Sequence, residues 1–324
     1  MCVVYLMNSN SKACLRGGRL VVEREGERIA SVPFNELDCL VVSEHAQVTT
    51  ETVFRLLGQA GQLVYVDFQG RVTGVLEKGR RSLRRLQRQM QTFAAQGRRT
   101  ELIRQIVQAK LSSQQEFLRR HGSKHRETAN EISQCLDNML GQLSQMDIDA
   151  MRGCEGAAAK RYFDFFPMVL PENWEWHGRN RRPAQDPVNA LLNYGYAFLE
   201  REVRLAILGV GMDSRVGFFH ANDGRRDSLV YDMMEPFRSS IIDNFVIRQI
   251  NYRRFRPEQF SLEDELGCRL SAEAKYRWAE DYEEYMVKQR SSLQGKSPRE
   301  WVRSEISAFA KEILHDSCDD TQAG

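Results

Sequence analysis

The sequence predicts an α+β protein, with a small N-terminal β-rich domain over residues 1–78 followed by a larger all-helical domain over residues 79–324. Two observations carry this. The first 76 residues hold short β-branched runs broken by Gly-containing turns. From about Ser82 the apolar residues recur at helical spacing, so the boundary falls near Gly79. At 324 residues, 42% hydrophobic and 28% charged, the chain has the composition of a globular protein and not of a disordered one.

In chain order, strands are expected over Val3–Met7, Arg19–Glu25, Arg28–Pro33, Cys39–Val42, Leu63–Phe68 and Arg71–Leu76. Glu25-Gly26-Glu27 and Gln69-Gly70-Arg71 suit hairpin turns. A helix over Thr50–Gly61 should interrupt them, capped by Thr49 or Thr50, with Val53, Leu56, Leu57 and Ala60 on one face. Beyond Ser82 the helical periods run Leu83/Leu86/Met90/Phe93, Leu102/Ile106/Ala109 and Ile132/Leu136/Met139/Leu143, with a break at His121-Gly122-Ser123. Helices are also expected over Pro187–Leu208, Ile241–Ile250 and Arg299–His315, and a frayed tail over Asp316–Gly324.

Seven widely spread cysteines without a Cys-x-x-Cys pair fit neither a disulfide framework nor a zinc knuckle. The N-terminus lacks the features of a signal peptide, and no segment approaches about 18 uninterrupted apolar residues. A cytoplasmic, reduced protein without membrane contact is expected.

The formal net charge of +2 conceals an uneven distribution. Between Lys78 and Arg104 there are eight arginines against one acid, Glu101, whereas Glu263–Glu284 leans acidic. On a helix Arg81, Arg84, Arg85 and Arg88 would share a face, and guanidinium forks suit phosphate oxygens. The other reading is a solvated face of an amphipathic helix, paired with the acidic region. The density of arginine favours nucleic acid.

Four residues could carry chemistry. Glu155 lies among small residues in Gly153-Cys154-Glu155-Gly156-Ala157, which fits either close approach of a phosphate or a plain helix start. His220 ends the apolar run Val216-Gly217-Phe218-Phe219 and could hold a cation, shuttle a proton or be a hydrogen-bonded rim residue. Asp232 and Glu235 stand three apart, so on a helix they share a face and could flank one ion. They could equally form an Asp-x-x-Glu cap, although Pro236 would make Glu235 the cap residue. Carboxylates with an imidazole and no cysteine suit Mg²⁺ or Mn²⁺ better than zinc, and a hard ion beside an arginine-rich stretch points to phosphodiester chemistry.

Taken in order, the β segment from Asn8 to Val42, Gly153–Gly156 with Tyr162-Phe163, the Arg182–Tyr196 run, Gly217–His220 and Ser228–Arg238 closely resemble the CRISPR-associated adaptation integrase family. The resemblance implies an N-terminal β-rich dimerisation domain and a helical catalytic domain. It further implies a metal-dependent DNA endonuclease and integrase that joins 3′-hydroxyl ends of short DNA fragments to the CRISPR array by transesterification. The implied partners are a second copy of the chain, a small ferredoxin-like CRISPR adaptation protein, double-stranded DNA fragments and CRISPR repeat DNA.

By the same resemblance Glu155, His220 and Glu235 fall on the family's metal ligands, with Asp232 a further candidate. Asn189, Asn193, Tyr194 and Tyr196 would lie in a signature helix packed near the site, and Arg238 would hold a carboxylate or a phosphate. Two other functions stay open at this stage: a structure-selective nuclease on branched DNA, and a DNA-binding scaffold without chemistry.

Overall fold

The computed structural model describes residues 2–59, 61–78, 82–180, 183–220, 227–263 and 267–314. The chain divides into two compact units, Met1–Arg80 and Arg81–Gly324.

The first unit contains β1 (Cys2–Leu6), β2 (Ser11–Arg16), β3 (Arg19–Arg24), β4 (Glu27–Pro33), β5 (Leu37–Ser43), β6 (Gln47–Val48), α1 (Thr50–Gly58), β7 (Gln62–Val66) and β8 (Val72–Glu77). They form two four-stranded sheets, ordered β1-β5-β7-β8 and β4-β3-β2-β6. Glu25 and Gly26 have φ of 53° and 87°, so successive left-handed residues close the β3–β4 hairpin. Gly17 and Gly18, at φ 55° and 73°, do the same between β2 and β3, a strand pair that the sequence reading omits.

Expecting hairpins alone also misses the parallel pairs. β1 and β7 both run parallel to β5, and α1 makes the crossover from β5 to β7. The run Leu37-Asp38-Cys39-Leu40-Val41-Val42-Ser43 is almost wholly buried, as an inner parallel strand requires. Thr49 caps α1 through its hydroxyl, and Leu56 of α1 joins Leu40, Val42 and Leu63 in the core. Ala60, expected in this helix, lies outside the described residues.

The second unit contains α2 (Leu83–Ala94), α3 (Gln96–His121), α4 (Arg126–Gln142), α5 (Ile148–Phe163), α6 (Phe166–Val169), α7 (Pro187–Gly209), α8 (Ser228–Phe237) and α9 (Asn244–Asn251). After them come β9 (Phe260–Glu263), β10 (Gly267–Leu270), α10 (Ala272–Val287) and α11 (Pro298–Leu314). The antiparallel β9–β10 hairpin makes this unit mostly, rather than wholly, helical.

At the centre α3 packs on α8, and α8 packs on α7. α7 is buried nearly all round, including its charged Arg201, Glu202 and Arg204. Its Gly195 is needed there, because a Cβ would come within 2.6 Å of Ile242 and 3.0 Å of the Trp278 ring. Trp278 from α10 fills that notch and meets Phe198, Phe245 and Tyr194 edge-on.

α8 does not run straight into α9. Pro236 lies inside α8, and Arg238–Asp243 forms a π-helical turn before α9 starts. Proline removes a backbone donor, and a wider turn accommodates that loss. The expected helix over Ile241–Ile250 therefore begins inside this turn.

Trp278→Ala should cost about 3–5 kcal/mol of stability through the cavity left around Gly195. Urea denaturation followed by far-ultraviolet circular dichroism measures it, and a loss under 1 kcal/mol would contradict this packing.

Candidate metal and phosphate site

Four elements build the site: α3, α5, α8 and the segment before α8. Asp147 caps α5 by accepting from the Ala150 N–H, so Glu155 stands in mid-helix and not at a helix start. Asp232 and Glu235 are likewise inside α8 and cap nothing. Both capping alternatives for these acids are corrected by the positions of the true helix ends.

Glu155 from α5 and Glu235 from α8 meet on one cation, the Lys110 ammonium from α3. Lys110 Nζ donates to Glu155 Oε1 and lies 2.6 Å from Glu235 Oε2. The second contact is an ion pair, so the Lys110 ammonium compensates the charge of Glu235 as well as that of Glu155. Arg238 Nε donates to Glu235 Oε1 at 3.0 Å. Burial by itself would raise the Glu235 pKa, but Arg238 and then Lys110 outweigh it and bring it down to about 2.

Asp232 is 0% exposed and engaged differently. Its Oδ2 accepts from the backbone N–H of Phe218 at 2.6 Å and of Phe219 at 3.0 Å. Its Oδ1 accepts from the His220 N–H at 2.9 Å and faces His220 Nδ1 at 2.7 Å. Donors thus meet both oxygens of Asp232, whereas Glu155 and Glu235 meet the Lys110 ammonium. Asp232 acts as the anchor of His220 and of the bend that Phe218 and Phe219 form before it. Pairing with a carboxylate places the proton on Nδ1 and leaves Nε2 as the ring's acceptor.

This segment is held from both sides. Arg99 Nε donates to the Phe218 carbonyl at 2.9 Å, and Arg152 Nη2 to the Phe219 carbonyl at 3.0 Å. Gly217 allows the close approach, since a Cβ there would lie 2.8 Å from Asp232 Oδ2 and 2.7 Å from the Ser228 backbone. Residues 221–226, which follow His220, lie outside the described residues.

Beside Glu235 opens a recess lined by Lys110, Gln114, Tyr162, Arg179, Arg238 and Asp243, among others. Arg179 bonds Asn189 Oδ1 and Asn193 Oδ1, both at 2.7 Å, and lies over the Tyr196 ring, as does Arg238. Tyr162 and Tyr196 donate to the two oxygens of Asp243 at 2.8 and 2.6 Å. Burial raises the Asp243 carboxyl to about 6 against the lowering effect of the two tyrosines. Tyr194, by contrast, packs among aromatic rings.

Among the described residues no three His, Cys, Asp or Glu side chains form a ready-made ligand cluster. Glu155 and Glu235 are brought together, and His220 stands near enough to help lower the Glu235 pKa. The Lys110 ammonium lies between the two acids. Oxygen donors from two helices around one positive charge match the donor preference of a hard divalent ion.

Sequence reasoning missed Lys110 and Arg179. The signal for Lys110 was present, because it falls on the buried α3 stripe of Ile103, Ile106, Val107, Gln114 and Phe117, where a lysine needs a partner.

The arginines of α2 differ in exposure. Arg84 and Arg85 of α2 are exposed, but Arg85 Nη1 also donates to the Val210 carbonyl at 2.9 Å. Arg81 lies outside the described residues, and Arg88 is partly buried. In the acidic region Asp281 pairs with Arg254, Glu273 with Arg277 and Glu283 with Arg299, all within the C-terminal part of the unit.

A β-rich unit is thus followed by a mostly helical one in which carboxylates, an imidazole and basic side chains are drawn together. The chain belongs to the CRISPR associated protein Cas1 family, whose description matches residues 4–284. It is 30% identical over 283 residues to a CRISPR-associated endonuclease Cas1 of Archaeoglobus fulgidus, covering 81% of each chain. A Thermus thermophilus relative of the same description is 30% identical over 261 residues, covering 80% of this chain and 77% of its own.

Among solved structures, a casposase bound to integration product superposes with a TM-score of 0.84 at 23% identity, covering 97% of this chain and 91% of its own. A Cas1 protein from Thermotoga maritima gives 0.82 at 20% identity, covering 97% and 98%. These two establish the fold. No helix among the described residues is long and apolar enough to cross a membrane.

Asp243 supplies a pH test. Its folded pKa of about 6 exceeds the ordinary 3.8, so the folded state holds the proton more tightly. Its stabilising effect is complete below 3.8 and is lost as pH rises to about 6. The fall in melting temperature between those values should be smaller in Asp243→Asn than in the native protein, as read by scanning calorimetry. An unchanged slope would refute the assignment.

Proposed function

We propose that this chain is a metal-dependent DNA endonuclease and integrase of CRISPR adaptation, joining 3′-hydroxyl ends of short DNA fragments to the CRISPR array by transesterification. The observation that carries this reading is the convergence of Glu155 and Glu235 on a single cation beside His220. Family membership supports it, as do relatives named CRISPR-associated endonuclease Cas1.

Glu155, Glu235 and His220, the last through Nε2, would hold Mg²⁺ or Mn²⁺. Asp232 positions His220 and is not counted among the direct ligands. When bound, the ion supplies Lewis acidity that activates a hydroxyl and stabilises a leaving oxygen. The protein's own groups do the rest. Asp232 fixes the imidazole tautomer, so that Nε2 can accept. Arg238 and Arg179 line the recess beside Glu235 and can receive phosphate oxygens. Arg81, Arg84, Arg85 and Arg88 would hold the duplex without reading its sequence, with steep salt dependence.

In this reading residues 1–78 form the dimerisation domain and residues 79–324 the catalytic domain, working in the prokaryotic cytoplasm. The protein would act as a homodimer with a small ferredoxin-like CRISPR adaptation protein, on double-stranded DNA fragments and CRISPR repeat DNA. Hydrolysis of branched DNA with the same groups is the second reading, favoured by the relatives' name of endonuclease.

With the small partner protein, a short duplex bearing free 3′-hydroxyls and a supercoiled CRISPR plasmid, joined products should appear with Mn²⁺ and vanish with EDTA. Glu155→Gln should abolish joining in a folded protein. Nicked or resolved products alone would replace integration by hydrolysis, and full activity of Glu155→Gln would refute the site.

Asp232→Asn should lower the joining rate about 10–100-fold, the range for losing the partner that orients a ligating histidine. Single-turnover joining at saturating Mn²⁺ checks this, and a rate within a factor of two of native would exclude the positioning role.

A further inference from the structure

We propose that Lys110 is a two-position internal cation: it neutralises Glu155 and Glu235 while no metal ion is bound, and moves to Gln114 when an ion takes its place. The inference rests on the proposed use of these two acids to hold a metal.

Three observations carry it. Lys110 is 6% exposed, and its ammonium contacts both carboxylates, so it occupies the place where a cation shared by them would sit. Two neighbouring carboxylates with little access to water need a countercharge to remain ionised together, and here the lysine provides it. A divalent ion in the same place would repel the ammonium at close range in a poorly screened environment, so the two cations exclude one another.

The third observation indicates where the ammonium goes. Gln114 lies one turn further along α3, at i+4, and is 3% exposed. Its Oε1 is a buried acceptor without a hydrogen-bond partner. Buried amide oxygens are rarely left so, because the loss of water is then uncompensated. Lys110 and Gln114 also line the same recess, together with Tyr162 and Asp243, so the side chain has a polar wall to follow. A lysine has the flexible stem and the single mobile charge that such an exchange needs, which an arginine fork lacks.

The exchange sets metal affinity. Binding must displace an ion pair, so the site takes up the metal less tightly than its carboxylates alone would. In return, the acids stay ionised and in place when the ion is absent.

The test is Mn²⁺ binding to the full-length protein without DNA, read by electron paramagnetic resonance of the free ion. Lys110→Met should bind Mn²⁺ at least tenfold more tightly than native, whereas Lys110→Arg should not. Gln114→Met should bind three- to tenfold more weakly, because the displaced ammonium loses its acceptor. The double variant should match Lys110→Met, since Gln114 acts only through the lysine.

Equal or weaker binding by a folded Lys110→Met would overturn the proposal while leaving the metal site standing, provided that native binding is lost in Glu155→Gln. No binding by either native protein or Lys110→Met would overturn both. Should Lys110→Met fail to fold, Gln114→Met decides, and unchanged affinity there overturns the exchange.

Discussion

Two acids on α8, Asp232 and Glu235, are 0% and 4% exposed, and the second unit is arranged around compensating their charge. An uncompensated buried carboxylate costs several kcal/mol, which is comparable to the whole stability of a typical domain. Their partners therefore cannot be incidental. Asp232 draws three backbone N–H groups and an imidazole from the segment ahead of α8. Glu235 draws Lys110 from α3 and Arg238 from the π-helical turn. Glu155 comes into the site through the same ammonium. The placement of α3, α5 and α8 follows from one electrostatic requirement.

The π-helical turn after Pro236 belongs to the same economy of charge. It carries Arg238 and Asp243 onto the recess, where Tyr162 of α5 and Tyr196 of α7 meet the second carboxylate. Asp243 gains only neutral hydroxyl donors, whereas Glu235 gains two cations in direct contact. That difference accounts for their opposite behaviour: burial prevails at Asp243, which rises to about 6, and is overcome at Glu235, which falls to about 2. Two buried carboxylates a few turns apart thus have different proton affinities because Glu235 touches its cations, whereas Arg179 and Arg238 act on Asp243 without outweighing burial.

Much of this was legible in the sequence, for identifiable reasons. Acids and an imidazole embedded in apolar or small-residue segments marked Glu155, His220, Asp232 and Glu235, because such groups need partners wherever they are buried. Several helices of the second unit, α2, α3, α4, α7 and α11 among them, followed from their 3.6-residue period, and the Glu25-Gly26 hairpin from its turn residues. The parallel pairing of β1, β5 and β7 was not legible, since pairing across a crossover leaves no local signal. Nor did spacing alone separate a helix interior from a cap, so Asp-x-x-Glu before a proline admitted both, and the structure puts the pair in mid-helix. Lys110 was legible only as a defect in an apolar stripe, and its partners lie 45 and 125 residues away in the sequence.

The i, i+3 spacing of Asp232 and Glu235 suggests that both face one ion, yet their surroundings divide the work. A carboxylate whose oxygens accept four directed N–H donors has no lone pair to spare and forms a rigid anchor. A carboxylate held by ion pairs to side-chain cations can exchange one of them for another cation. Backbone donors cannot leave without unfolding the segment that bears them, whereas side-chain ammonium and guanidinium groups can swing away on flexible stems. Under the proposed function, exchangeable partners suit Glu155 and Glu235 to an incoming cation, and fixed partners suit Asp232 to the support of His220.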